Sequence, residues 1–240
     1  MTDYILIFTI VFAGSVIQGA ASFGFSILVM SLLPFILPLR MSAALSAISA
    51  FFIGFYVCLK IKKNLQIKYI ITPLAISLIV LPIGAYMLNV CDEVFLKKLL
   101  GSVIILFTIV TIFNPGQRVN LKPTMSSKII TGTISGLFAG MFNIGGPPMV
   151  FYYLGTIKDN LSYKAALEFT FAVTALVSIG FHIYYGNIQP AITGYVLLCL
   201  VASITGTALG LKVFVRLDEK ALKKFVYILM TVLGIILVIK

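Results

Sequence analysis

The sequence predicts an all-α polytopic membrane protein of two inverted-topology repeats, each a broken, re-entrant helical hairpin followed by three transmembrane helices. Three observations carry this prediction. Hydrophobic residues make up 60% of the 240-residue chain and charged residues 10%, with a mean hydropathy of +1.12; a soluble domain would be about 25% charged. Uncharged stretches recur along the chain, many near the roughly 20 residues that cross a hydrocarbon core. Two of them are interrupted by short Gly-rich segments about 121 residues apart. The first reads Gln18-Gly19-Ala20-Ala21-Ser22-Phe23-Gly24 and the second Gly140-Met141-Phe142-Asn143-Ile144-Gly145-Gly146-Pro147-Pro148. Broken helices in matching places of two halves point to a substrate site near the bilayer midplane.

The elements follow in order. The first repeat, 1–114, opens with hairpin 4–39, which is uncharged from Tyr4 to Leu39. Its arms on either side of the Gly-rich segment are about 22 and 24 Å long as helix, short of a core of about 30 Å. That length predicts a re-entrant hairpin with its tip deep in the membrane; two full, tilted crossings are the alternative, which charge does not separate from it. Spans at about 41–60, 68–91 and 95–113 come next, separated by Lys60 to Lys68 and by Asp92-Glu93. Asp at a helix start with Glu in the first turn suits both capping and the helix dipole. The polar segment 115–127 is a cytoplasmic linker. The second repeat, 128–240, holds hairpin 128–157 and spans at about 163–185, 189–211 and 219–239. Duplication leaves a trace: Met41-Ser42-Ala43-Ala44-Leu45 returns as Tyr163-Lys164-Ala165-Ala166-Leu167, and Asp92 to Lys98 returns as Asp218 to Lys224 with five of seven residues identical.

Charge sets the expected orientation. If each hairpin enters and leaves on one side, fourteen of the eighteen Lys/Arg fall in cytoplasmic loops, leaving Arg40, Lys97, Lys98 and Lys240 outside. If each crosses once, the bias vanishes. The positive-inside rule favours the first arrangement, with both termini outside a cell inner membrane and the halves inverted. The net charge of +11 is the same rule at work, so no nucleic-acid partner is expected. No basic n-region precedes the first apolar run, so no cleavable signal peptide is expected. The chain has no GxxxxGK[ST] segment, which argues against ATP use. Cys58, Cys91 and Cys199 form no metal-binding or redox spacing, and neither metal nor cofactor is expected.

The tips carry the chemistry. Glycine lets backbone approach a ligand closely. Ser22 is placed to cap the arm starting near Gly24, Asn143 to cap the arm starting near Gly146, and Pro147 suits the first helical turn. Two helix starts facing each other would offer free N–H groups and partial positive charge to a small anion. Gln18, Gly19, Ser22, Phe23, Gly24, Asn143, Gly145, Gly146 and Pro147 are therefore the candidate substrate-binding residues. Gly14, Gly54, Gly84, Gly132, Gly136, Gly206 and Gly210 are read as helix-packing positions. Glu168 has two readings, a coupling-proton carrier inside the membrane or an interfacial partner of Lys164 four residues earlier. Arg40 is read as snorkelling to headgroups and His182 as interfacial, beside Tyr184 and Tyr185.

At the two tips and the repeated spans, the chain resembles the sulfite exporter TauE/SafE family, also called the 4-toluenesulfonate uptake permease family. Those proteins carry a Gly-rich segment ahead of a Pro in each half. Here the matches are Gly19 to Gly24 with Pro34, and Gly140, Gly145 and Gly146 with Pro147. Ala20, Ala21 and Ser22 stand where the family often has further glycines. The resemblance implies an inner-membrane carrier of sulfite, sulfonates or similar organic anions. The expected function is secondary transport by alternating access, with no catalysis. An anion channel through the same pore is the alternative. A serine protease built on Ser22 and His182 is disfavoured, because Ala20 stands where G-x-S-x-G needs its first Gly.

Overall fold

The computed structural model describes residues 2–113, 123–189, 192–213 and 235. Among the described residues every regular element is helical. The first Gly-rich hairpin is α1 (Thr2–Ala21) and α2 (Phe25–Leu32). Helices α3 (Leu39–Ile61), α4 (Ile67–Val90) and α5 (Glu93–Phe113) follow it. The second hairpin is α6 (Met125–Phe142) and α7 (Gly146–Thr156), followed by α8 (Asn160–Tyr184) and α9 (Thr193–Val213). Among the described residues five stretches are long and apolar enough to cross a membrane: Thr2–Ala21, Leu39–Asn64, Ile67–Val90, Asn160–Tyr184 and Thr193–Lys212. The expected span 219–239, apart from residue 235, lies outside the described residues, as do Asp218 and Glu219.

The hairpin arms are unequal, which departs from the sequence expectation. Helix α1 has 20 residues and α6 has 18, about 30 and 27 Å at 1.5 Å per residue. The return arms have 8 and 11 residues. The break expected at Gly19 falls later, at Ser22 to Gly24, and Gly140 lies inside α6. The reason is packing. Both glycines continue their helices because another helix comes too close for a side chain: a Cβ on Gly19 would lie 2.8 Å from the carbonyl oxygen of Thr207 in α9. Gly140 faces the backbone of Leu81 and Ala85 in α4 in the same way.

The helix pairs exchange partners. Helix α1 packs along α9, α6 along α4, and α3 along α8, while α3 also meets α9 and α8 also meets α4. Small residues line the first two seams, as expected. Gly132 and Gly136 lie on Pro73, Ile76 and Ser77 of α4, and Gly206 and Gly210 lie on Phe12, Ser15, Val16 and Gly19 of α1. The short arms are buried between these seams. Phe25 and Val29 of α2 join the core shared by α1, α3 and α9. Tyr152 and Tyr153 of α7 join the core shared by α4 and α8. The large apolar residues left exposed, such as Ile79 and Ile83 on α4 and Leu176 and Ile183 on α8, form the side presented to lipid.

Polar groups at the helix ends are satisfied locally. Asp92 accepts hydrogen bonds from the backbone N–H groups of Val94 and Phe95 at 2.9 and 3.1 Å, the capping role its sequence predicts. Asp159 caps α8 by accepting from the Ser162 N–H at 2.7 Å, which holds its carboxyl below the usual carboxylate range. Arg40 is exposed at the start of α3. Its Nε and Nη2 donate to the carbonyls of Leu88 and Asn89 at 3.1 and 2.9 Å, because the last carbonyls of α4 have no intrahelical partner. His182 is only 3% exposed and shares a hydrogen bond between Nδ1 and Nδ2 of Asn187 at 3.1 Å. It is thus buried within the last turn of α8, at the end of the span.

Candidate functional site

Both tips end their first arm in left-handed backbone. Ser22 has φ 66° and Asn143 has φ 57°. The Ser22 N–H donates back to the Gln18 carbonyl at 2.7 Å, and the Asn143 N–H to the Ala139 carbonyl at 2.9 Å. These two residues therefore close α1 and α6, and they do not cap the return arms. Gly24 and Gly145 hold the N-cap positions of α2 and α7, with no side-chain cap at either. Gly24 adopts φ 105°, a conformation that glycine alone takes without strain. The missing caps leave the first N–H groups of α2 free to face a ligand. Helix α7 offers fewer, since Pro147 and Pro148 carry none.

The tips meet at one cavity of about 30 Å³, room for roughly two water molecules. Gln18 of α1, Phe23, Gly24 and Ser26 at the first tip, and Asn143, Gly145, Gly146 and Pro147 at the second all line it. Ser135 of α6 and Phe171 and Thr174 of α8 complete its wall. Among the described residues no Lys, Arg, Asp or Glu lines it. Seven of the nine candidate binding residues are thus brought together. Gly19 lies beside the cavity with its back to α9, and Ser22 is buried at the turn without reaching the wall.

Hydrogen bonds tie the wall together. The Asn143 Nδ2 donates to the hydroxyls of Ser26 in α2 and Ser46 in α3, both at 3.2 Å. One amide thereby binds the second tip to the first. An amide nitrogen has two hydrogens, and both are engaged, so Asn143 turns toward the serines rather than offering NH₂ to a ligand. The Ser26 hydroxyl accepts this bond and keeps its own hydrogen for the cavity. Ser135 donates to the Gly145 carbonyl at 2.6 Å, fixing the second tip against α6. Sequence reasoning missed Ser26, Ser135 and Thr174. Ser26 carried one local signal, its place in the first turn after Gly24. Ser135 and Thr174 carried none, because only folding brings α6 and α8 to the tips.

A second polar group lies behind Gln18. The Gln18 Nε2 donates to Oε2 of Glu168 at 3.0 Å. Lys164 donates from Nζ to the Gly19 carbonyl at 2.6 Å. Lys164 and Glu168 are 5% and 0% exposed, so the interfacial pair is set aside: both side chains turn inward onto α1. His182 lies fourteen residues beyond Glu168 on α8, about 21 Å along the helix. That separation keeps it far from Ser22 and leaves the protease pairing without geometry.

The sequence pattern of the family described as "Sulfite exporter TauE/SafE" matches residues 6–237. A curated relative, "Probable sulfite/organosulfonate exporter TauE" of Cupriavidus necator, is 25% identical over 115 residues, which are 48% of this chain. The match spans 44% of that relative's length. No solved structure matches the chain.

Proposed function

Because the chain belongs to the sulfite exporter TauE/SafE family, an integral membrane family of exporters, we propose that it is a secondary transporter of small sulfur-containing anions, sulfite or sulfonates. The observation that carries this reading is the cavity where the two Gly-rich tips meet. It is lined by uncapped helix starts and hydroxyls and holds no fixed charge. Free N–H groups at helix starts, with their partial positive charge, bind small anions. Ser26 adds a hydroxyl donor and Gln18 an amide.

Two inverted repeats supply the frame of this reading. Exchanging the hairpins and the spans that follow them turns the α1–α9 seam into the α6–α4 seam, and the α3–α9 contact into the α8–α4 contact. That exchange supports a two-fold relation about the tips, 1–114 against 128–240. Alternating access would then swing one half against the other around the cavity. The charge distribution supports a cytoplasmic linker with both termini outside the inner membrane. An anion channel through the same pore is the alternative, and flux separates them: a channel conducts ohmically and far faster.

The test is thermal stabilisation of the detergent-purified protein by sulfite, sulfate, thiosulfate, sulfoacetate, taurine and short carboxylates. A ligand that binds only the folded state raises its melting temperature by mass action. A sulfur oxyanion or sulfonate is expected to shift the melt, and Asn143→Gly, which keeps the left-handed turn but no longer holds Ser26 at the cavity, is expected to lose most of that shift while remaining folded. A shift with cations or neutral solutes alone would overturn the anion reading.

A further inference from the structure

Gln18 faces two ways. It lines the cavity, and its Nε2 donates to Oε2 of Glu168 at 3.0 Å. Glu168 is fully buried, and its other oxygen, Oε1, has no hydrogen-bond partner. One turn earlier on α8, Lys164 holds the Gly19 carbonyl. Helix α8 thus holds two successive residues in the last turn of α1, one by backbone and one by side chain. With the backbone pinned, the amide of Gln18 keeps one freedom: to turn over about its last bond.

The two protonation states of Glu168 hold the Gln18 amide differently. An ionised carboxylate only accepts hydrogen bonds, so it fixes the NH₂ of Gln18 on itself and turns the carbonyl oxygen away. A protonated carboxyl gains a donor, which the carbonyl oxygen of Gln18 can accept, and that bond releases the NH₂ from Glu168. The orientation that suits a cavity anion is the second, because it presents a donor where the first presents an acceptor. We propose that Glu168 is the proton site of the carrier and that Gln18 relays its protonation to the cavity, so that one proton binds and moves together with one anion. This rests on the anion-transport reading. The proton arrives from water, bonds to a carboxylate oxygen of Glu168, and leaves as the carboxyl ionises on the other side. No other bond forms or breaks.

The surroundings of Glu168 suit a single proton site. On its own helix the charged neighbour is Lys164. On α3, Gly54 packs against the Glu168 backbone, and Cys58 lies one turn further along the same helix. Helix α1 presents Gln18, which does not titrate. Helices α4 and α7 bring Tyr69, Tyr152 and Tyr153, the last hydrogen-bonded to Thr170. Lys62 and Lys63 of the α3–α4 turn are exposed, and Lys128 is in the first turn of α6.

The test measures binding of methanesulfonate, ethanesulfonate and 2-hydroxyethanesulfonate to the full-length protein in detergent from pH 5 to 9. Sulfonates stay ionised throughout and bring no proton of their own. Wild type is expected to take up one proton per sulfonate bound, read by an indicator in unbuffered solution. Its affinity is expected to fall about tenfold per pH unit above the titration of Glu168, the slope of one linked proton. Glu168→Gln, whose NH₂ donates to Gln18 as the protonated acid does, is expected to bind at the low-pH affinity at every pH. Gln18→Met is expected to bind weakly and without pH dependence. Sulfonate binding without proton uptake in wild type, or a pH slope that survives in Glu168→Gln, overturns the relay and leaves the anion site standing. Should Glu168→Gln fail to fold, the wild-type proton count and Gln18→Met decide. Failure of wild type to bind any of the three at any pH overturns the anion reading and the relay with it.

Discussion

Ser22 and Asn143 hold backbone that most residues avoid, and they do so at the two places where the chain turns back. Left-handed backbone costs a non-glycine residue roughly 1 kcal/mol or more, less for Asn, whose short polar side chain tolerates it. Asn143 therefore has two separable duties, its backbone and its amide. Asn143→Gly keeps the turn and removes the amide that holds the Ser26 hydroxyl at the cavity wall, so its melting temperature should stay within a few degrees of wild type while anion affinity falls at least tenfold. Asn143→Val should lose both, because a β-branched residue resists φ 57°. Equal anion affinity in wild type and Asn143→Gly would take the amide out of the site. The sequence named the residue types at the tips, since Gly, Ser, Asn and Pro in a hydrophobic run have few other uses. It did not show which way Asn143 faces. Its partners Ser26 and Ser46 stand 117 and 97 positions away, and no local spacing encodes such a contact.

The helices are held by closeness more than by polar contacts. Where α6 crosses α4 and α9 crosses α1, glycines let backbones touch, and in lipid such van der Waals contact is a main source of helix association. A Cβ at Gly210 would lie 3.0 Å from the Cα of Gly19 and the carbonyl carbon of Val16, both rigid backbone. Gly210→Ala should therefore push α1 off α9 and destabilise the protein by roughly 1–3 kcal/mol, the usual cost of overpacking, read as a lower midpoint in detergent unfolding. Gly180, with nothing within 4 Å of its would-be Cβ, is the control: Gly180→Ala should leave the midpoint unchanged or raise it. Equal effects of the two substitutions would remove close approach as the cause. The four-residue spacings of Gly132 with Gly136 and of Gly206 with Gly210 were legible as packing positions. The extension of α1 and α6 through Gly19 and Gly140 was not, because a glycine that breaks a helix and one that admits a neighbour look alike until the neighbour is placed.

At the scale of the molecule, hydropathy and charge made the helical membrane architecture legible, and spacing made the helices countable. The cavity was legible only as a pair of tips; its hydroxyls and the Gln18–Glu168 contact depend on tertiary placement. Orientation follows from charge and is open to direct test. Cysteines placed singly at Thr2 and at Lys122, in a background lacking Cys58, Cys91 and Cys199, should react with a membrane-impermeant maleimide from opposite sides of the membrane, Thr2 from outside. Labelling of both from one side would refute the re-entrant hairpin arrangement. The exchanged seams have a further consequence. The glycine face of α6 is covered by α4, and that of α9 by α1, so each half of the chain completes itself only on the other. Covalent continuity between them is then a convenience of delivery: fragments 1–114 and 115–240 made as separate polypeptides should find each other through these faces, and co-purification of the two from one membrane would read it.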